Sequence, residues 1–450
     1  MPKWILPVVA GLFFCTSLAP GASAQGAPQK PPLPAPAASP GVTAAPGETA
    51  RDDAADEEAE SGDGAAPASA VPSLARVMEL AKDRAPAVAI ARANVEVGRS
   101  AMVGARLGPL ANPYVEVLAD RGSSGATRDV TVQGNLWLPL EVSGQREKRE
   151  AEAQALVTWA GAEAKATRAS SAADAVRAYG QLVVADARIR ALAELAEVAR
   201  AEAKYYDGRL VAGDATELDA KLAELEVARH AVALAEGKAD RARALAAVGV
   251  ATGSTYTEAP TGALAPPAPK AAPPVKDPAA LPAVQASAAQ ATYHAREKDR
   301  HAIEAHTPLN LVLTVGRGDL GELRVGGGLA WSLPVLRTNQ GEQARAEANR
   351  SKATVERDLK ARVATATADG LTRERAELRK AIETITRLAE PAAKATVEAA
   401  VAMEKAGKGD LLRVLTARRD LALLESRRLD LLQREWNLVG DLVALTGDLP

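Results

Sequence analysis

The chain has 450 residues with nearly balanced charge, formal net −2, and only 3% aromatic residues. The balanced charge removes the electrostatic case for a nucleic-acid partner. So few aromatic rings fit Ala-rich packed helices better than a compact globular core. Length alone argues for about three domains, but an internal repeat, described below, overrides that prior.

Met1 to Ala24 has the pattern of a cleaved secretory signal. Lys3 supplies the positive end, Ile5 to Leu18 the apolar run, and Ala22-Ser23-Ala24 the small-residue cleavage site. The apolar run is too short to span a bilayer, which argues against a membrane anchor. Cys15, the only cysteine, precedes that site, so the mature chain is expected to form no disulfide. Residues 25–72 are rich in Pro, Ala and Gly and carry the acidic run Asp52 to Glu58. They are expected to be a disordered, solvated spacer.

Residues 73–254 read as one unit. Ser73 is placed to cap a helix from Leu74, which resumes after Pro86 and ends before Asn112-Pro113. Tyr114–Ala119 and Val130–Leu138 read as strands. In the second, Val130, Val132, Gly134, Leu136 and Leu138 alternate with polar residues and Trp137. About nine residues is the length a tilted strand needs to cross a bilayer. After Leu138-Pro139 and the Ser143-Gly144 turn, a proline-free helical run extends to Gly213-Asp214. At about 1.5 Å per residue such a helix is roughly 100 Å long. Leu218, Leu222, Leu225 and Val232 mark a helix returning from that turn.

Residues 255–282 are Pro/Ala-rich without periodicity and read as an extended linker. Residues 283–450 then repeat the first unit. Pro282-Ala283-Val284 matches Pro86-Ala87-Val88, Pro308 matches Pro113, and Gly407 matches Gly213. Ala444-Leu445-Thr446-Gly447 matches Val250-Ala251-Thr252-Gly253. Here Leu309, Leu311, Leu313 and Val315 alternate with polar residues, and so do Leu323, Val325, Leu329 and Leu333. A second helical run, broken only by Pro391, leads to the turn Gly407-Lys408-Gly409-Asp410.

These features predict a mainly α chain with a small transmembrane β part, built from a duplicated helix–strand–strand–long helix–turn–helix unit. Four strands cannot close a barrel, and open sheet edges are not allowed in lipid. Three chains would supply twelve strands. That is enough for a trimer to close a 12-stranded β-barrel standing on a long coiled α-helical barrel.

The ordered chain resembles the TolC-like outer-membrane efflux proteins. The resemblance rests on the duplicated unit, the Leu-Pro to Gly turns at 138–144 and 333–341, and the glycine reversals at 213 and 407. The run Leu138-Pro139-Leu140-Glu141-Val142-Ser143-Gly144-Gln145-Arg146-Glu147-Lys148-Arg149 is similar to the CzcC-like cation-efflux branch. Such a family implies passive conduction through a homotrimer in outer-membrane lipid, with a periplasmic adaptor and an inner-membrane pump of the RND type as partners. It implies a long periplasmic portion and no cofactor. It also implies adaptor docking at the two tips, here Val211, Gly213, Asp214 and Thr216, and Gly407, Gly409, Asp410 and Leu411.

Asp214, Asp219 and Asp410 would ring the tunnel entrance, where Arg209 and Arg413 are expected as their partners. Ordinary helix capping accounts for these aspartates equally well. Trp331 ends its strand on the apolar face, as a membrane-interface residue should, whereas strict alternation puts Trp137 on the polar face.

No phosphate loop, nucleophile elbow or Cys/His cluster is present, so the chain is not read as an enzyme. His294, His301 and His306 lie near the second helix–strand junction, but their spacing is not that of helical zinc motifs. The alternative reading from another class is a periplasmic coiled-coil adaptor or scaffold. The alternating strands argue against it.

Overall fold

The computed structural model describes residues 68–449, apart from 109–110, 125–126, 269–274, 307–308, 319–320, 334 and 410. The expected signal, nearly all of the acidic spacer, Pro308, Pro334, Asp319 and Asp410 lie outside the described residues.

In chain order the elements are β1 (Ala68–Ala70), α1 (Leu74–Arg84), α2 (Pro86–Arg106), β2 (Tyr114–Ser124), β3 (Thr127–Leu140), α3 (Gln145–Ala212), α4 (Glu217–Thr252) and β4 (Tyr256–Glu258). Then follow α5 (Pro282–Glu304), β5 (Leu309–Arg317), β6 (Leu323–Ala330), α6 (Gln340–Thr384), α7 (Glu390–Lys405) and α8 (Leu411–Thr446). No described helix is long and apolar enough to cross a membrane.

The 68-residue α3 is the axis of the molecule. It packs on α2 and α5 in the half nearer the strands and on α4 and α8 in the other half. Its seam is built from small residues. Ala172, Ala173, Ala175 and Val176 are fully buried, with Tyr179 and Leu182 beside them. Val248 of α4 and Trp436, Val439 and Val443 of α8 complete that core. At Gly180 the indole of Trp436 occupies the space a Cβ would need. Cross-helix pairs then hold α3 and α8 antiparallel: Arg177 with Asp441, Arg188 with Asp430, and Glu202 with Arg418.

The run from Asn339 is not one α-helix broken only at Pro391. Ile385–Ala389 form a π-helical turn just before it. Proline cannot donate to the carbonyl one turn back, and the wider turn absorbs the mismatch.

Two expectations about flanking segments change. Residues 68–71 are not spacer: β1 pairs in parallel with β4, and Val71 donates its N–H to Glu258 O at 3.1 Å and is buried in the main core. Nor is 255–282 a free linker. Leu264 O accepts from Trp436 Nε1 at 3.0 Å, and the Pro266 and Pro267 carbonyls accept from Arg379 of α6. Arg375, also hydrogen bonded to Pro267 O, shares the buried carboxylate of Glu435 with Arg379. The segment is strapped to the helices through its backbone.

The four main strands form one antiparallel sheet in the order β2-β3-β5-β6. Both strands of the first hairpin are longer than expected and run to Ser124 and from Thr127. In register, Val115 faces Leu136, Leu138 faces Leu311, Leu136 faces Leu313, and Leu311 faces Leu329. One face is therefore mostly Val and Leu, since alternate residues share a face. The other carries Glu116, Gln133, Asn135 and Thr314, which are joined by hydrogen bonds.

Candidate functional site

The candidate site has two parts, the helix reversals and the strand sheet. At the first reversal α3 ends on Gly213, whose φ is 82°. Gly213 N–H donates to Leu210 O and Asp214 N–H donates to Arg209 O, so the last carbonyls are satisfied within the turn. Thr216 starts α4 with a capping box. Its Oγ1 accepts from Asp219 N–H at 3.2 Å, while the Asp219 carboxylate accepts from Thr216 N–H at 3.0 Å. The Thr216 hydroxyl also donates to that carboxylate at 2.7 Å, and this bond first, then the Thr216 N–H, holds the Asp219 carboxyl below its ordinary range. Val211 is almost fully exposed.

The second reversal has the same local chemistry. Gly407, with φ of 68°, donates to Glu404 O, and Lys408 N–H donates to Met403 O. Gly409 sits against the Met403–Glu404 backbone. Leu411 begins α8 and is buried with Tyr206 and Ala223 of the first tip. Around Gly213 and Gly407 a Cβ would meet nothing, so positive φ, not crowding, is what calls for glycine there.

Among the described residues Arg209 makes no bond to the side chain of Asp214 or Asp219. Its Nη1 donates to Glu404 Oε1 at 3.1 Å and its Nη2 to the Asp214 backbone carbonyl at 2.9 Å. Its guanidinium lies 5.7 Å from the Tyr205 ring centroid and 5.8 Å from that of Tyr206. Tyr206 OH donates to the same Glu404 oxygen at 3.2 Å. Burial first, then the Glu404 charge, pushes the Tyr206 hydroxyl far above its ordinary range. Asp219 is committed to its capping box. Arg413 also has a partner, and Asp410 lies outside the described residues. Glu404 is the residue the sequence reading missed. Its one signal is position, a single turn before the second reversal, as Arg209 is before the first.

Above the tips, α3, α4 and α8 enclose a cavity of about 510 Å³ lined by Leu192, Leu195, Glu202, His230, Arg418 and Glu425, among others. Burial raises the Glu202 carboxyl, against the pull of Arg418. Among the described residues no three His, Cys, Asp or Glu side chains converge as a metal site. His294 faces Glu297 at 2.8 Å and packs on Trp159 and Tyr293, whereas His301 meets Arg300.

At the sheet, Trp137 stacks on Tyr114 with centroids 5.4 Å apart on the polar face. It does not lie with the apolar band. Trp331 follows β6 directly and is exposed. The apolar face is uncovered, with Val115, Val117, Val325 and Leu329 each about two-thirds or more exposed.

A long helical layer ending in a four-stranded sheet is an architecture found in solved structures. A membrane protein from Pseudomonas aeruginosa superposes with a TM-score of 0.69 at 18% identity, covering 84% of this chain and 90% of that one. The fold is that of outer-membrane channels. The outer-membrane channel OprN gives 0.66 at 19% identity, over 83% of this chain and 90% of its own. The Campylobacter jejuni CmeC outer membrane channel gives 0.65 at 16%, over 82% and 84%. No family model and no curated relative matches the sequence. In this fold the exposed apolar band falls on the sheet and the two reversals at the opposite end of the helices.

Proposed function

We propose that three copies of this chain form the outer-membrane exit duct of a tripartite efflux system. The duct conducts substrate passively from an inner-membrane pump of the RND type and a periplasmic adaptor. The observation that carries this reading is the sheet. It has an exposed, predominantly apolar face and, in β2 and β6, two strands with only one neighbour each. Open edges are not tolerated in lipid, and three sheets joined edge to edge make a closed barrel.

The helical layer carries matching unpartnered stripes. Ile90, Val97 and Val103 lie along α2, Leu218, Leu225 and Val232 along α4, and Val355, Leu359 and Val363 along α6. A head-to-tail contact between such edges closes a ring when three copies meet. The two reversals of each chain would then ring the periplasmic entrance and meet the adaptor through their bare glycine backbones. A metal-cation cargo is the finer reading, and it rests on the likeness of residues 138–149 to the cation-efflux branch.

The competing reading, a periplasmic adaptor or scaffold, leaves the apolar sheet face in water. Fractionation separates the two. A heat-resistant trimer in the outer membrane, without its N-terminal 24 residues, is the expected result. A soluble periplasmic product would sink the duct reading.

A further inference from the structure

The outward face of the sheet carries two charges among its described side chains, and both are arginines at one end. Counting alternate residues from the register, that face runs Val115, Val117, Ala119, Arg121 on β2 and Leu311, Leu313, Val315, Arg317 on β5. Between them β3 presents Leu138, Leu136, Gly134, Val132 and Val130. β6 adds Leu329, Gly327, Val325 and Leu323. The carboxylates Glu116 and Asp120 fall on the opposite face. Arg121 and Arg317 both sit at the hairpin ends, away from the helices.

Both residues are exposed, and among the described residues neither has a hydrogen bond or an ion pair. The nearby carboxylate of Glu322 is taken by Arg324, at 3.0 Å to Nε and 2.6 Å to Nη2. Arg317 instead folds back over the turn at Gly321, where a Cβ would stand 3.3 Å from its Nη2. It thus leans away from the apolar band toward the hairpin end, as a snorkelling arginine does.

Spacing relates the two positions. Arg121 stands opposite Val130, and Arg317 opposite Val132, on either side of β3. Two strand spacings of about 4.8 Å and an offset of two residues put their Cα atoms roughly 12 Å apart. Six residues separate Val115 from Arg121, so at about 3.3 Å each the band below is roughly 20 Å tall. That height lifts both guanidiniums to the level of lipid headgroups at the outer rim.

We propose that Arg121 and Arg317 together form a docking site for a phosphorylated lipid headgroup of the outer leaflet, a glycolipid bearing two phosphates being the class that engages both. Each planar guanidinium takes one phosphate through paired N–H bonds, and the acyl chains lie along the Val and Leu band. This rests on the reading of the sheet as membrane-embedded.

The test uses the full-length trimer in phosphatidylcholine vesicles containing diphosphorylated lipid A, its monophosphorylated form, or neither. Lipid retained on the trimer is counted by native mass spectrometry. The expected order is diphosphorylated above monophosphorylated, unaffected by millimolar inorganic phosphate. The Arg121→Gln/Arg317→Gln double variant should lose about thirtyfold in affinity, from the attraction of two basic residues near an anionic surface. It should still insert and run as a trimer. Equal retention by the variant, or displacement of the lipid by inorganic phosphate, would overturn the site while leaving the barrel reading intact. A wild-type chain that inserts into no vesicle overturns the barrel reading, and the site with it.

Discussion

Arg209, one turn before the first reversal, donates to Glu404, one turn before the second, at 3.1 Å. The bond ties α3 to α7 within one chain, at the end where an entrance would open. Glu404 is nearly buried and also accepts from Tyr206. Glu404→Ala leaves two donors without an acceptor. The expected cost is about 1 kcal/mol, the low end for unpaired donors because Arg209 is about one-third exposed. The functional consequence should be larger single-channel conductance of the reconstituted trimer. Glu404→Gln, which keeps an acceptor for Tyr206, should fall between. Unchanged conductance in both variants would mean that the bond does not hold the entrance.

The reversals themselves are tested by Gly213→Val with Gly407→Val. Both glycines have positive φ, and a β-branched residue there costs roughly 1–3 kcal/mol per site. Nothing surrounds either Cα, so the cost is confined to the turns. The trimer should assemble and reach the outer membrane, while export and adaptor crosslinking at the tips are lost. Survival of both activities in an assembled trimer would make the tips turns without a docking role.

Leu311 and Leu329 face each other across β5 and β6 on the apolar side. Replacing either with Arg puts a charge into the helix-proximal end of the band. Between a bilayer midplane and its interface this should cost about 1–2 kcal/mol per chain and reduce the yield of heat-resistant trimer. Thr314→Arg, on the polar face, should be tolerated better. Equal yields from all three variants would be incompatible with an outward apolar face.

The strands and reversals were legible in the sequence because their signals are local. Period-two alternation marks β5 and β6, and glycine marks a reversal. What was illegible depends on partners. Polar residues from Asp120 to Ser124 read as a loop, yet β2 continues through them, because backbone pairing at a hairpin end needs no apolar side chain. Residues 255–282 have no periodicity since they pack by carbonyls, those of Leu264 and Pro267 among them. The leucines of α4 marked the returning helix but not the face it packs with. Ala220 and Ala223 face the chain's own core, while Leu218, Leu225 and Val232 are exposed. Small residues seat a helix within the chain, and the large ones wait at the layer's edge.

Glu425 of α8 gives a pH signature outside the sheet. Burial, then the neighbouring Glu390 charge, raises its carboxyl above the usual range, against Lys394 and Arg428, with Glu194 adding to the rise. A raised folded value means that this group's stabilising contribution is present below the unfolded value and lost as pH rises through the folded one. The helical region should therefore melt at a lower temperature as pH climbs from the ordinary Glu range toward neutrality. Glu425→Gln should flatten that slope and raise Tm at pH 7. An identical pH profile in the variant would rule out Glu425 as its source.

The last prediction concerns β1 and the residues before it. Residues 25–72 have the composition of a spacer, and on composition alone the whole stretch should be dispensable. The structure moves that limit, because β1 pairs with β4 and Val71 is only 4% exposed in the core that holds Val176 and Trp436. Deleting 25–67, with the first 24 residues kept, should leave trimer yield and melting temperature unchanged. Extending the deletion through Val71 removes a strand pairing and a buried valine, whose transfer alone is worth about 1.5–3 kcal/mol. That longer deletion should lower the melting temperature, and Val71→Asp in the intact chain should do the same by burying an unpaired carboxylate. If the shorter deletion already abolishes the trimer, the acidic stretch has a structural role that its composition does not signal. If the longer one is silent, the β1–β4 pairing contributes nothing to holding the N-terminal helix on α3.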